Sequence, residues 1–94
     1  MNIYISTGGY KDKKGTEVFE SLKSKGIKNI EFSGGKFIKN FDKNIKYYQN
    51  CSQLHNYFPP PKKPFVFNLS SENKIISNAS INLVKKNIIR SKKI

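Results

Sequence analysis

Gly26-Ile27-Lys28-Asn29-Ile30-Glu31-Phe32-Ser33-Gly34-Gly35 is the stretch on which the fold turns. Ile27 to Phe32 is short, β-branched and aromatic, which favours a strand, and two glycines stop it. What precedes it reads as a helix over residues 16–25, with Val18, Phe19 and Leu22 at helical spacing. Gly15 or Thr16 can cap that helix, Glu17 and Glu20 suit its positive end, and Gly26 suits a left-handed C′ position. Further back, residues 2–7 read as a first strand, closed by Gly8-Gly9 and followed by the polar loop Tyr10–Lys14.

Downstream, Phe41, Ile45 and Tyr48 lie i, i+4, i+7 and predict a second helix over 41–50. Residues 53–58 read as a third strand, ended by Pro59-Pro60-Pro61, which cannot donate to a ladder. Pro64–Leu69 is an extended connector. Ser70 or Ser71 then caps a third helix over 71–91, with Ile75, Ile76, Ala79 and Leu83 as its core stripe. The order β-α-β-α-β-α implies parallel strands joined by right-handed crossovers, in a barrel or in an open sheet.

The chain of 94 residues allows one domain. It carries no apolar run long enough to cross a bilayer, and its start is not expected to act as a secretory leader. The single Cys51 cannot pair internally, so a reducing, cytoplasmic setting and a half-buried structural thiol are expected. The formal charge of +12 invites a nucleic-acid reading. Against it, Arg90 is the only arginine and the lysines are scattered from Lys11 to Lys93. Phosphate and base recognition favours the bidentate arginine fork.

Alternation along each strand sorts the side chains into faces. One parity holds Thr7, Glu31, Ser33, His55 and Tyr57; the other holds Tyr4, Ile30, Phe32 and Leu54. The first set becomes polar toward the strands' carboxyl ends, where parallel α/β proteins bind ligands. Each member has a plain alternative. Glu31 can be a solvated strand-end carboxylate, His55 a structural histidine, and Tyr57 a packing ring. Gly34-Gly35 can be only a turn, and Ser70-Ser71 only a cap.

Four runs carry a resemblance: Met1–Gly8, Gly26–Gly35, His55-Asn56-Tyr57-Phe58-Pro59-Pro60-Pro61, and Pro64-Phe65-Val66-Phe67-Asn68-Leu69-Ser70-Ser71. By their order and spacing the chain resembles sugar-phosphate isomerase/epimerase proteins of the xylose-isomerase-like TIM-barrel superfamily, from Met1 to about Ile88. More distantly it is similar to apurinic endonucleases. The resemblance implies a fold of three consecutive βα units of a parallel (β/α)8 TIM barrel, short of the roughly 250 residues of a complete one. It implies a family acting on small sugars or sugar phosphates by metal-assisted proton transfer, with a divalent metal as cofactor. Glu31 and His55 map to catalytic positions, Thr7, Ser33, Tyr57 and Asn68 to substrate-binding ones, and His55 also to a metal-ligand position.

Nothing here corresponds to the metal carboxylates and histidines of the family's later strands. After about Ile89 the family pattern stops. The expectation is therefore a truncated chain, inactive alone and holding no metal by itself. Two alternatives accompany it: a split-barrel subunit completed by a partner chain or by self-association, and a small basic nucleic-acid-binding protein. With two open edge strands, a marginal or association-prone fold is expected.

Overall fold

The computed structural model describes residues 2–10 and 12–94. Met1 and Lys11, the latter inside the loop Tyr10–Lys14, lie outside the described residues. Three short strands form one parallel sheet: β1 (Ile5–Ser6), β2 (Ile30–Phe32) and β3 (Ser52–Leu54), in the order β1-β2-β3. Ile5 aligns with Ile30, and Glu31 with Ser6 on one side and Gln53 on the other. Helix α1 spans Gly15–Ser24, a 3₁₀ helix spans Asp42–Tyr48, and helix α2 spans Lys74–Ser91.

The expectation of three consecutive βα units of a (β/α)8 barrel is corrected by these elements. The strands have two or three residues each, and the middle helix is not an α-helix. Asn40 (φ 63°) and Asn50 (φ 66°) take left-handed turns at either end, leaving nine residues between them. Within that length Ile45 and Tyr48 both reach the core. Three residues per turn sets them directly in line, whereas 3.6 would offset them by about 60° on the same face. The third strand is cut at Leu54 because the chain turns at once, the Phe58 amide donating to the His55 carbonyl at 3.1 Å.

The core lies on one face of the sheet. Val18, Phe19 and Leu22 of α1 meet Ile30 and Phe32 of β2 there, with Phe41, Ile45, Tyr48 and Phe58 from later segments. Phe32 is the hub. Its ring stacks on Phe19 at 5.3 Å and Phe58 at 4.9 Å, and meets Phe41 and Tyr48 edge-on at 5.6 and 5.0 Å. Such offset and edge-on pairs add to the area buried. Burial, helped by the nearby Glu20 carboxylate, pushes the Tyr48 phenol up.

Helix ends follow local rules unevenly. At the end of α1, Gly26 (φ 86°) is the left-handed C′ residue that the sequence suggests. Its amide donates to the Lys23 carbonyl and that of Ile27 to Leu22, the double closure of a Schellman motif. At its start, Lys14 is the N-cap and offers no side-chain hydrogen bond, so neither Gly15 nor Thr16 caps it. Gly15 serves packing instead: a Cβ there would stand 2.7 Å from Phe58 Cε2.

Helix α2 differs more. Asn73, not Ser70 or Ser71, caps it, Oδ1 accepting from the Ile75 and Ile76 amides. The buried residues are Ser80, Leu83 and Asn87, whereas Ile75 is 81% exposed. The buried seam thus begins near the middle of the helix and leaves its first turn uncovered.

Candidate functional site

At the carboxyl ends of the strands the register sorts the candidates differently from strand-by-strand parity. Ser6, not Thr7, aligns with Glu31. Thr7 accordingly falls with the core side and is 1% exposed. Its Oγ1 donates to the Ser33 carbonyl and accepts from the Ser33 amide, both at 2.9 Å. Both hydrogen-bonding directions of that hydroxyl are thus used in clasping β1 to the end of β2. Tyr4, grouped by parity with Ile30, falls on the other side for the same reason, because Ile5 is the partner of Ile30.

The face carrying Ser6, Glu31 and Gln53 has no helix over it: Ser6 and Gln53 are exposed and Glu31 half-buried. His55 follows Gln53 by two residues, just past β3. It is exposed and tied by its amide to the Phe32 carbonyl at 2.8 Å. Glu31 and His55 thus occupy the carboxyl ends of adjacent parallel strands. Ser33 contributes a further hydroxyl: a Cβ on Gly8 would lie 3.2 Å from Ser33 Oγ and 3.2 Å from Ser6 Oγ. Absence of a side chain at Gly8 keeps this corner open, and the Gly8 amide donates to Ser6 Oγ at 3.0 Å.

Tyr57 and Asn68 are engaged elsewhere. The Tyr57 hydroxyl donates to the Phe65 carbonyl at 3.0 Å and accepts from the Phe65 amide at 3.1 Å. The ring packs edge-on against Phe65 and Phe67. Asn68 Oδ1 accepts from the Ser70 amide, and the Asn68 amide donates to Ser80 Oγ of α2. Both residues shape the connector between β3 and α2.

Among the described residues no three His, Cys, Asp or Glu side chains gather around one point. The described donors therefore do not make up the three-ligand set that would hold the divalent metal implied by the resemblance. Cys51 is a half-buried free thiol at 3.5 Å from the Tyr48 carbonyl. No helix among the described residues is long and apolar enough to cross a membrane.

Sequence reasoning passed over a second concave region. The 3₁₀ helix, Pro59–Pro61 and the second half of α2 enclose a cavity of about 400 Å³. Arg90 stands at its rim, with Nε donating to Asp42 Oδ1 at 2.6 Å and Nη2 to Oδ2 at 3.0 Å. The one signal available in advance was the single arginine of a lysine-rich chain. Comparison with protein-family models, curated proteins and solved structures finds no match to this chain.

Proposed function

We propose that the chain handles a small sugar or sugar phosphate at the carboxyl edge of its parallel sheet, and that alone it binds without turning it over. The observation that carries this reading is the placement of Glu31 and His55 at the ends of neighbouring parallel strands, beside the open Ser6–Gly8–Ser33 corner. A carboxylate and an imidazole on one ligand are the groups needed to take a proton next to a carbonyl and return it. The resemblance to sugar-phosphate isomerase/epimerase proteins supports the same substrate class. Cys51 as a free thiol is in keeping with a cytoplasmic setting.

The test is an amide-shift titration of the whole chain with aldose and ketose phosphates. Saturable shifts at Glu31, Ser33 and His55, weakened in His55→Ala and Glu31→Gln, are expected. No proton exchange at the sugar carbon beside the carbonyl is expected in D₂O. Shifts confined to other segments would remove this reading.

A second reading has its own observation. Ile3 is 72% exposed and Ile5 41% exposed at the open β1 edge of the sheet. Open edges of this kind invite another strand. A completing chain or a second copy pairing with β1 accounts for them. Sedimentation of the wild type and of Ile3→Lys decides: a monomer at high concentration in both removes self-association.

A further inference from the structure

The cavity beside α2 is built from different residues than the sheet-edge site, and it falls within the size range of small-ligand pockets. Phe41, Ile38 and Leu83, all buried, line its apolar side. Pro59, Pro60 and Pro61 form a wall that offers no amide donor, since proline has no N–H. Those surfaces suit a ring, not a hydrated ion.

The remaining side is cationic. Lys43, Lys86 and Arg90 line it, and Asp42 is the one carboxylate among the lining residues. Arg90 already holds both Asp42 oxygens. It is the only ion pair among the described residues, so neither Lys43 nor Lys86 forms one, although the Lys86 charge lies near enough to act on Asp42. A smaller cavity shares Asp42, Lys86 and Arg90 and adds Lys93, which extends the positive rim. Two ammonium groups near an apolar, donor-poor wall favour an anion that brings its own hydrophobic body.

We propose that this cavity binds a small anion built on an apolar ring, an aromatic carboxylate or monophosphate. Its ring lies against Phe41, Leu83 and the proline wall, and its acid group faces Lys43 and Lys86. The inference does not rest on the sugar-site reading, because no residue is shared between the two.

Amide shifts of the full chain are followed during titration with phenyl phosphate, benzoate, inorganic phosphate and benzyl alcohol. Saturable shifts in residues 37–43 and 83–90 are expected with phenyl phosphate or benzoate, and the tighter of the two names the acid group. Inorganic phosphate and benzyl alcohol should bind at least roughly tenfold more weakly, each lacking one half of the recognition. Lys86→Glu and, independently, Lys43→Glu should each lower affinity by roughly tenfold with unchanged far-ultraviolet dichroism, while Lys28→Glu leaves it intact. Inorganic phosphate binding as tightly as phenyl phosphate, shifts outside those segments, or an equal loss in Lys28→Glu overturns the proposal.

Discussion

Arg90 of α2 grips Asp42 at the start of the 3₁₀ helix through two parallel hydrogen bonds, 2.6 and 3.0 Å, across 48 positions of sequence. A third nitrogen, Nη1, donates to Asn87 Oδ1 at 2.9 Å, and Asn87 Nδ2 in turn donates to the Asn56 carbonyl at 2.7 Å. Helix α2 is thus fastened by a polar chain on the C-terminal side of Leu83 and Ser80, more than by an apolar stripe. Two of these links are long-range, spanning 48 and 31 positions, and the first depends on the arginine fork.

Replacing Arg90 by Lys keeps the charge and loses the fork. The Arg90 side chain is 15% exposed but that of Asp42 is 60% exposed, so solvent screens the pair. A loss of about 1 kcal/mol is expected from the urea midpoint, at the upper end for exposed pairs. An unchanged midpoint would show that the fork contributes nothing to docking α2.

The same pair sets a pH dependence. The Arg90 hydrogen bond, opposed by partial burial and reinforced by the charges of Arg90, Lys93 and Lys86, holds the Asp42 carboxyl below its usual 3.8. A folded value lower than the unfolded one means that the unfolded chain binds the proton more readily. The contribution to stability is therefore complete above the unfolded value and is lost as pH falls through the folded one. Asp42→Asn should flatten this acid limb of the stability profile below about pH 4, as read by thermal melts.

Gly15→Ala puts a methyl 2.7 Å from Phe58 Cε2 and 3.0 Å from Cζ, inside a ring cluster with little room to yield. Overpacking of this kind costs about 1–3 kcal/mol. Gly9→Ala is the control, since a Cβ there meets nothing within 4 Å. Equal melting temperatures for the two variants would contradict the packing argument.

Phe32→Ala removes the ring on which four other aromatic rings converge. A cost of about 3–5 kcal/mol is expected for a buried phenylalanine. In a chain of 94 residues with three short strands, that should abolish the cooperative urea transition. A cooperative transition shifted by less than about 1 kcal/mol would place the core elsewhere.

Tyr57→Phe deletes one hydroxyl that serves both the amide and the carbonyl of Phe65. Faster hydrogen exchange at the Phe65 amide and a loss of about 1–2 kcal/mol are expected. Sugar-phosphate affinity should not change, because the hydroxyl is committed to the connector. A selective loss of that affinity would return Tyr57 to the binding site.

How far the sequence could be read differs by element. The α1 periodicity, Gly26 and the apolar pair Ile30 and Phe32 were all legible, since each depends on neighbours a few residues away. The 41–50 segment showed the correct buried residues, Phe41, Ile45 and Tyr48, under the wrong helical pitch. Spacing i, i+4, i+7 suits an α-helix, whereas the segment between the two left-handed asparagines winds as a 3₁₀ helix. In α2 the isoleucines suggested a core stripe, and the buried seam instead runs through Ser80, Leu83 and Asn87. Exposure there is set by what each turn of the helix packs against, which no periodicity records.

By itself, the amino-acid order determined that strands and helices alternate, that the strands run parallel, and where the glycine stops fall, because these are consequences of short-range propensity and connection length. Only tertiary structure decided that Thr7 faces the core while Ser6 keeps company with Glu31, because register is a property of hydrogen bonds between strands. It alone brought Asp42 to Arg90 and raised a proline wall beside Lys43 and Lys86, because residues 48 positions apart meet only when α2 lies down against the 3₁₀ helix.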